Sequence, residues 1–149
     1  MKSFIILLIF LASLTAQSAE NEFGLGAMLG NPTGLNGKYW LKDNVAVDGG
    51  LAMSIGRKAR LSIHSDYLFQ KDAAFYFNDV NPLDLYFGIG ARMEFDDDIE
   101  IGVRIPVGLA HRFTEQPSDV FAEVAPIIDF IGRTGLEMHI AVGARYYFQ

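Results

Sequence analysis

The last stretch of the chain, Gly135 to Gln149, reads GLEMHIAVGARYYFQ. Every second residue is apolar: Leu136, Met138, Ile140, Val142, Ala144, Tyr146 and Phe148. Between them stand Glu137, His139, Ala141, Gly143, Arg145 and Tyr147. A strict period of two is the mark of a strand with two unlike faces, because successive side chains point to opposite sides of the backbone. An apolar strand face must be kept from water, so a chain made of such strands has two choices: it turns those faces onto a core or onto lipid.

The same alternation recurs along the chain, broken by turn residues. Phe23–Gly30, Leu35–Leu41, Val45–Ser54, Leu61–Phe69, Leu83–Phe95, Ile99–Leu109, Val120–Ile128 and the final stretch make eight strands. The turns fall at Asn31-Pro32-Thr33, Lys42-Asp43-Asn44, Ile55–Arg60, Asp96-Asp97-Asp98, Thr114–Ser118 and Phe130–Thr134. Gln70–Pro82 is the longest connection; its purpose is left open, and its Phe75-Tyr76-Phe77 could cap one end of the strand assembly. Pro106 and Pro126 fall mid-strand, where bulges are expected.

Eight alternating strands fit a closed barrel, and the distribution of charge decides its polarity. The apolar face carries no charged residue in any of the eight. The opposite face is largely Gly and Ala, interrupted by Lys38, Asp48, His64, Asp66, Arg92, Glu94, Arg104, Glu123, Glu137, His139 and Arg145. A water-facing surface would be richer in long polar side chains. Small residues with charges of both signs suit a narrow lumen, where buried charges need partners. The expectation is therefore all-β: an eight-stranded antiparallel up-and-down transmembrane β-barrel, apolar face to lipid and polar network inside.

Aromatic residues test this independently. With an even number of strands both termini lie at one end. Phe23, Tyr39, Trp40, Tyr67, Phe69, Tyr86, Phe113, Phe121, Tyr146 and Phe148 then gather near that rim. Phe23, Tyr39, Tyr67, Phe69, Phe113 and Tyr146 are read as an aromatic girdle at the lipid–water boundary.

Residues 1–19 read as a secretory signal peptide, with Lys2, an apolar run from Phe4 to Leu14 and small residues up to Ala19. Residues 20–149 are then the barrel domain of a cell outer membrane. The chain has no cysteine, which excludes disulfides and thiolate metal sites, and its formal charge of -6 argues against nucleic acid.

The chain resembles the small eight-stranded outer-membrane barrels of the OmpA/OmpX architecture. The segments GLGAMLGNPTGLNGKYWL, SDYLF, IGVRIPVGL, DVFAEVAPIIDF and VGARYYF, in that order, are more closely similar to a family of short barrels in diderm bacteria, spirochaetes among them. The resemblance implies a C-terminal signal for the barrel-insertion machinery, matched by Gly143, Tyr146 and Phe148 and followed here by Gln149. It implies outer-membrane lipid and that machinery as partners, a monomer, and no cofactor. With no wall-binding domain after the barrel, a wall-tethering role is not implied.

Several constellations invite chemistry. Gly24-x-Gly26-x-x-x-Gly30 lacks the dinucleotide spacing and is read as lumen glycines. Ser62, His64 and Asp66 share one strand face, but a hydrolytic triad needs contacts that residues two apart do not easily make. His64 and His139 with a carboxylate lack a metal-ligand pattern, so neither a catalytic nor a metal site is assigned. Asp96-Asp97-Asp98 with Glu100, and Arg57, Lys58 and Arg60, are read as solvated groups rather than as cation or phosphate sites. The functional expectation is a non-enzymatic outer-membrane barrel with a structural or surface-interaction role and a plugged lumen. No motif specifies a surface ligand. A narrow channel and a barrel-embedded lipid hydrolase are the alternatives.

Overall fold

The computed structural model describes residues 22–55 and 58–148; the signal segment, Arg57 and Gln149 lie outside them. The described residues form strands and turns only: β1 (Phe23–Asn31), β2 (Thr33–Lys42), β3 (Val45–Ile55), β4 (Ala59–Phe77), β5 (Asn81–Phe95), β6 (Ile99–Arg104), β7 (Val107–Arg112), β8 (Ser118–Ile131) and β9 (Gly135–Phe148). Each is antiparallel to its neighbours, and β1 pairs with β9 from Phe23↔Phe148 to Asn31↔Ile140, which closes the sheet on itself. Closure leaves the ring itself without an unpaired edge.

β6 and β7 are two halves of one stave. Both lie between β5 and β8, and the pairings Gly90↔Arg104 and Phe87↔Val107 keep one register across Ile105-Pro106. The barrel thus has eight staves. The bulges expected at Pro106 and Pro126 are absent, since Pro126 pairs in step with Met138. Each proline instead forfeits one ladder donor while its carbonyl still accepts, from Gly88 N at 3.0 Å and from Ile105 N at 3.0 Å. The register shifts lie elsewhere, at Trp40/Lys42, Lys71/Phe75 and Ile101/Gly102.

The long connection is also not a loop. β4 runs on to Phe77 and β5 begins at Asn81, so Gln70–Pro82 is a β-hairpin extending past the ring, joined through a bulge between Lys71 and Phe75. Its tip aromatics Phe75, Tyr76 and Phe77 are exposed rather than folded over the mouth. Pro82 and the Asn78-Asp79 turn made the segment look irregular. Both residues of that turn have positive φ, a conformation that Asn and Asp tolerate.

The period of two sorts the faces. Outward residues are apolar and open, such as Leu29 at 65% exposure and Ile140 at 58%. Inward residues are packed, and the largest fully buried side chains include Arg92, Arg104, Tyr86, Tyr147 and Lys38. Glycine is required where staves approach closely: a Cβ on Gly26 would run into the Ala144 carbonyl and the Arg145 backbone, whereas one on Gly135 would meet nothing. Gly26→Ala should therefore abolish the compact form that resists unfolding in cold detergent. Gly135→Ala should keep it, both read by gel mobility with and without boiling.

Candidate functional site

Among the described residues, buried charged and polar side chains converge in the barrel interior, in tiers each organised around an arginine. Nearest the end that carries Phe23 and Phe148, Arg145 on β9 donates from Nε to Asp119 Oδ1 at 3.0 Å and from Nη1 to Asn36 Oδ1 at 3.0 Å. Tyr147 donates its hydroxyl to Asp119 Oδ2 at 2.7 Å, and the Arg145 guanidinium lies 4.1 Å from the Phe121 ring centroid. Lys38 donates to Gln70 Oε1 at 2.9 Å, with its ammonium 4.2 Å from the Trp40 ring. Arg112 pairs with Glu22 at the rim.

In the middle tier Arg104 bridges Asp66 and Glu123, and the Tyr86 hydroxyl donates to Glu123 Oε2 at 2.9 Å. His64 and Asp48 stand beside them. Toward the other end Arg92 meets Asp129 through both carboxylate oxygens at 2.8 Å, Glu137 at 2.7 Å and Glu94 at 3.2 Å. His139 Nε2 is 3.4 Å from Arg92 Nη1. Arg92 is 1% exposed, Arg104 2% and Arg145 3%.

These positions follow from parity. Each residue of the expected network, from Lys38 to Arg145, occupies an inward register position, and all are buried except the half-buried Glu137. Asn36, Tyr86, Glu100, Asp119, Asp129 and Tyr147 also belong to it, though sequence reasoning left them out. Asp119 and Asp129 lie just beyond the ends given to the seventh-stave pattern, which continues from Ser118 to Ile131. Their even spacing from Glu123 was the available signal.

The aromatics near this rim divide by parity into inward and outward sets. Trp40, Tyr86 and Phe121 point inward and are buried, so they belong to the lumen packing. Phe23, Tyr67, Phe69, Phe113, Tyr146 and Phe148 are exposed outward and Tyr39 is partly so, with Phe87 joining them. Neighbouring rings touch, Phe69 on Phe87 with centroids 5.9 Å apart and Tyr146 on Phe148 at 5.2 Å. Gly143 lies on the inner side of the same last strand, under the Phe121 ring.

Two surface readings change as well. Glu100 turns into the lumen, 3.8 Å from Arg92, away from the exposed Asp97 and Asp98. Arg60 is not a solvated loop cation: it pairs with Glu94 at 2.6 Å and Glu137 at 3.5 Å. Lys58 stays exposed and binds Asp97 at 3.1 Å, and that hydrogen bond raises its ammonium above the usual lysine pKa.

The arrangement does not assemble a hydrolytic triad. Ser62 Oγ has no hydrogen-bond partner among the described residues, and His64 Nε2 stands 4.0 Å from Asp66. What the interior offers is a set of desolvated ion pairs. Arg145→Met should lower the unfolding free energy by about 3–5 kcal/mol, because Asp119 would be left buried without its ion-pair partner, keeping only the Tyr147 hydroxyl. Adding Asp119→Asn should recover a large part of that loss in urea titrations of the detergent-folded protein.

No protein-family model matches the chain, and no curated protein matches it by sequence. Two solved structures are similar in fold. The N-terminal β-barrel domain of Pseudomonas aeruginosa OprF has a TM-score of 0.65 at 16% identity, covering 86% of this chain and 96% of that one. Neisserial surface protein A (NspA) has a TM-score of 0.53 at 15% identity, covering 86% of this chain and 94% of that one. Both are small eight-stranded barrels of the outer membrane.

Proposed function

We propose that the chain is an integral outer-membrane protein whose side-chain-filled barrel is a plug rather than a pore, with a structural or surface-contact role and no catalysis. One observation carries this reading: the polarity is inverted, with exposed Leu, Ile, Val and Phe around the outside and ionisable groups buried within. A water-soluble barrel would bear the reverse cost on both faces. The fold likeness to two outer-membrane barrels supports it.

In this reading residues 1–19 export the chain and the outer-membrane lipid surrounds a monomeric barrel. Gly143, Tyr146 and Phe148 are presented to the insertion machinery, and the end bearing Phe23 and Phe148 faces the periplasm. The finer kinship, with short barrels of diderm bacteria, rests on the order of the motifs. The plug reading is supported by Arg145, Arg104 and Arg92, which stand at three successive depths with carboxylates on stave after stave.

The full-length protein should fractionate with outer membranes, and its unboiled form should migrate differently from its boiled form. Recovery in the soluble periplasm would overturn the assignment. In planar bilayers the purified barrel should give no reproducible conductance steps; steady unitary steps would replace the plug with a narrow channel.

A further inference from the structure

We propose that Asp48, His64 and Asp66 form a binding site for a divalent transition-metal ion of the zinc class inside the barrel. The three residues lie on adjacent staves, Asp48 directly opposite Asp66 in the β3–β4 register and His64 two positions along. One ligand atom from each lies within 4.8 Å of the others, and all three residues are buried, with 3%, 3% and 1% exposure.

The local charge is the second, independent observation. Arg104 is shared between Asp66 and Glu123. Lys38 stands opposite Asp48 in the β2–β3 register, yet its ammonium goes to Gln70 and the Trp40 ring. Asp48 therefore forms no ion pair among the described residues, although it is buried. Asp48 Oδ1, Asp66 Oδ1 and His64 Nδ1 also have no hydrogen-bond partner there. A buried carboxylate left this way is costly, and a cation between the two aspartates removes the cost.

The donor set selects the class of ion. One imidazole nitrogen with two carboxylate oxygens suits zinc and its first-row neighbours, whereas calcium and magnesium take oxygen shells of six or more. Asp48, Asp66 and Glu123 set against Arg104 leave a net double negative charge, which a divalent ion balances. Bonds of about 2.0–2.2 Å hold ligand atoms up to roughly 4 Å apart around one ion, a spacing close to that of three atoms lying within 4.8 Å of one another. Two glycines make the room: a Cβ on Gly50 would strike the His64 ring, and one on Gly90 would strike Asp66 Oδ1. The similar trio Glu94, Glu137 and His139 differs, because Arg92 and Arg60 already occupy its carboxylates. It serves as the internal control.

The experiment uses the full barrel refolded in detergent and titrated with Co²⁺ and Zn²⁺. The expected result is saturable binding of one ion per chain. His64→Ala and Asp48→Asn should each lose it, while His139→Ala keeps it, with heat-modifiable gel mobility verifying the fold of every variant. Because a buried substitution can block folding, zinc X-ray absorption of the unmodified protein is the second readout, and it should show a nitrogen/oxygen shell containing one imidazole. No stoichiometric binding, as expected if Asp48 and Asp66 simply share a proton, would overturn the proposal. So would binding that survives His64→Ala, or a metal shell without imidazole. None of these outcomes depends on where the barrel resides in the cell, so the site and the membrane assignment fail separately.

Discussion

A guanidinium taken out of water must be met by carboxylates, and the interior of this barrel is built around three such demands. Each arginine reaches carboxylates on other staves: Arg145 meets Asp119 on β8, Arg104 meets Asp66 on β4 and Glu123 on β8, and Arg92 meets Asp129 on β8 and Glu137 on β9. The pairs therefore tie the ring together across its diameter as well as around its circumference. Their net contribution to stability is modest, because desolvation offsets most of the attraction. Their contribution to uniqueness is larger, since removing either partner leaves a charge that neither lipid nor lumen can solvate.

The lipid-like exterior and the charged interior are one pattern seen from two sides. Residues such as Leu35, Leu51, Ile63 and Ile89 are exposed because nothing in the fold covers them. Between them stand Asn36, Ala52, His64 and Gly90, alternately small and polar, which let eight staves close without leaving a wide bore. Glycines at the tightest approaches do the same work for the backbone.

Much of this was legible from the chain because inward or outward is a matter of parity, and parity survives errors at strand ends. Lys38, Asp48, Arg104 and Arg145 could be assigned to the lumen from alternation alone. What could not be read was pairing across the bore, which depends on stave tilt and register: nothing in the sequence ties Asp129 to Arg92 or Asn36 to Arg145. The hairpin beyond Gln70 was hidden for a different reason. Its bulge breaks the alternation, and its Asn-Asp turn and Pro82 look like a loop. Pro106 and Pro126 misled in the opposite direction, because a missing donor costs one hydrogen bond without forcing the chain to add a residue.

The strict alternation also bears on how the molecule avoids mistakes while it forms. If one stave paired a single residue out of step, its two faces would exchange, and in the membrane reading proposed above its charged side chains would meet hydrocarbon. An arginine at the bilayer midplane costs roughly 2–4 kcal/mol, and its abandoned carboxylates would add to that. A misregistered stave is thus penalised wherever it stands in the ring. The polar interior works as an error-checking code written along the chain, because each stave carries its own test of register.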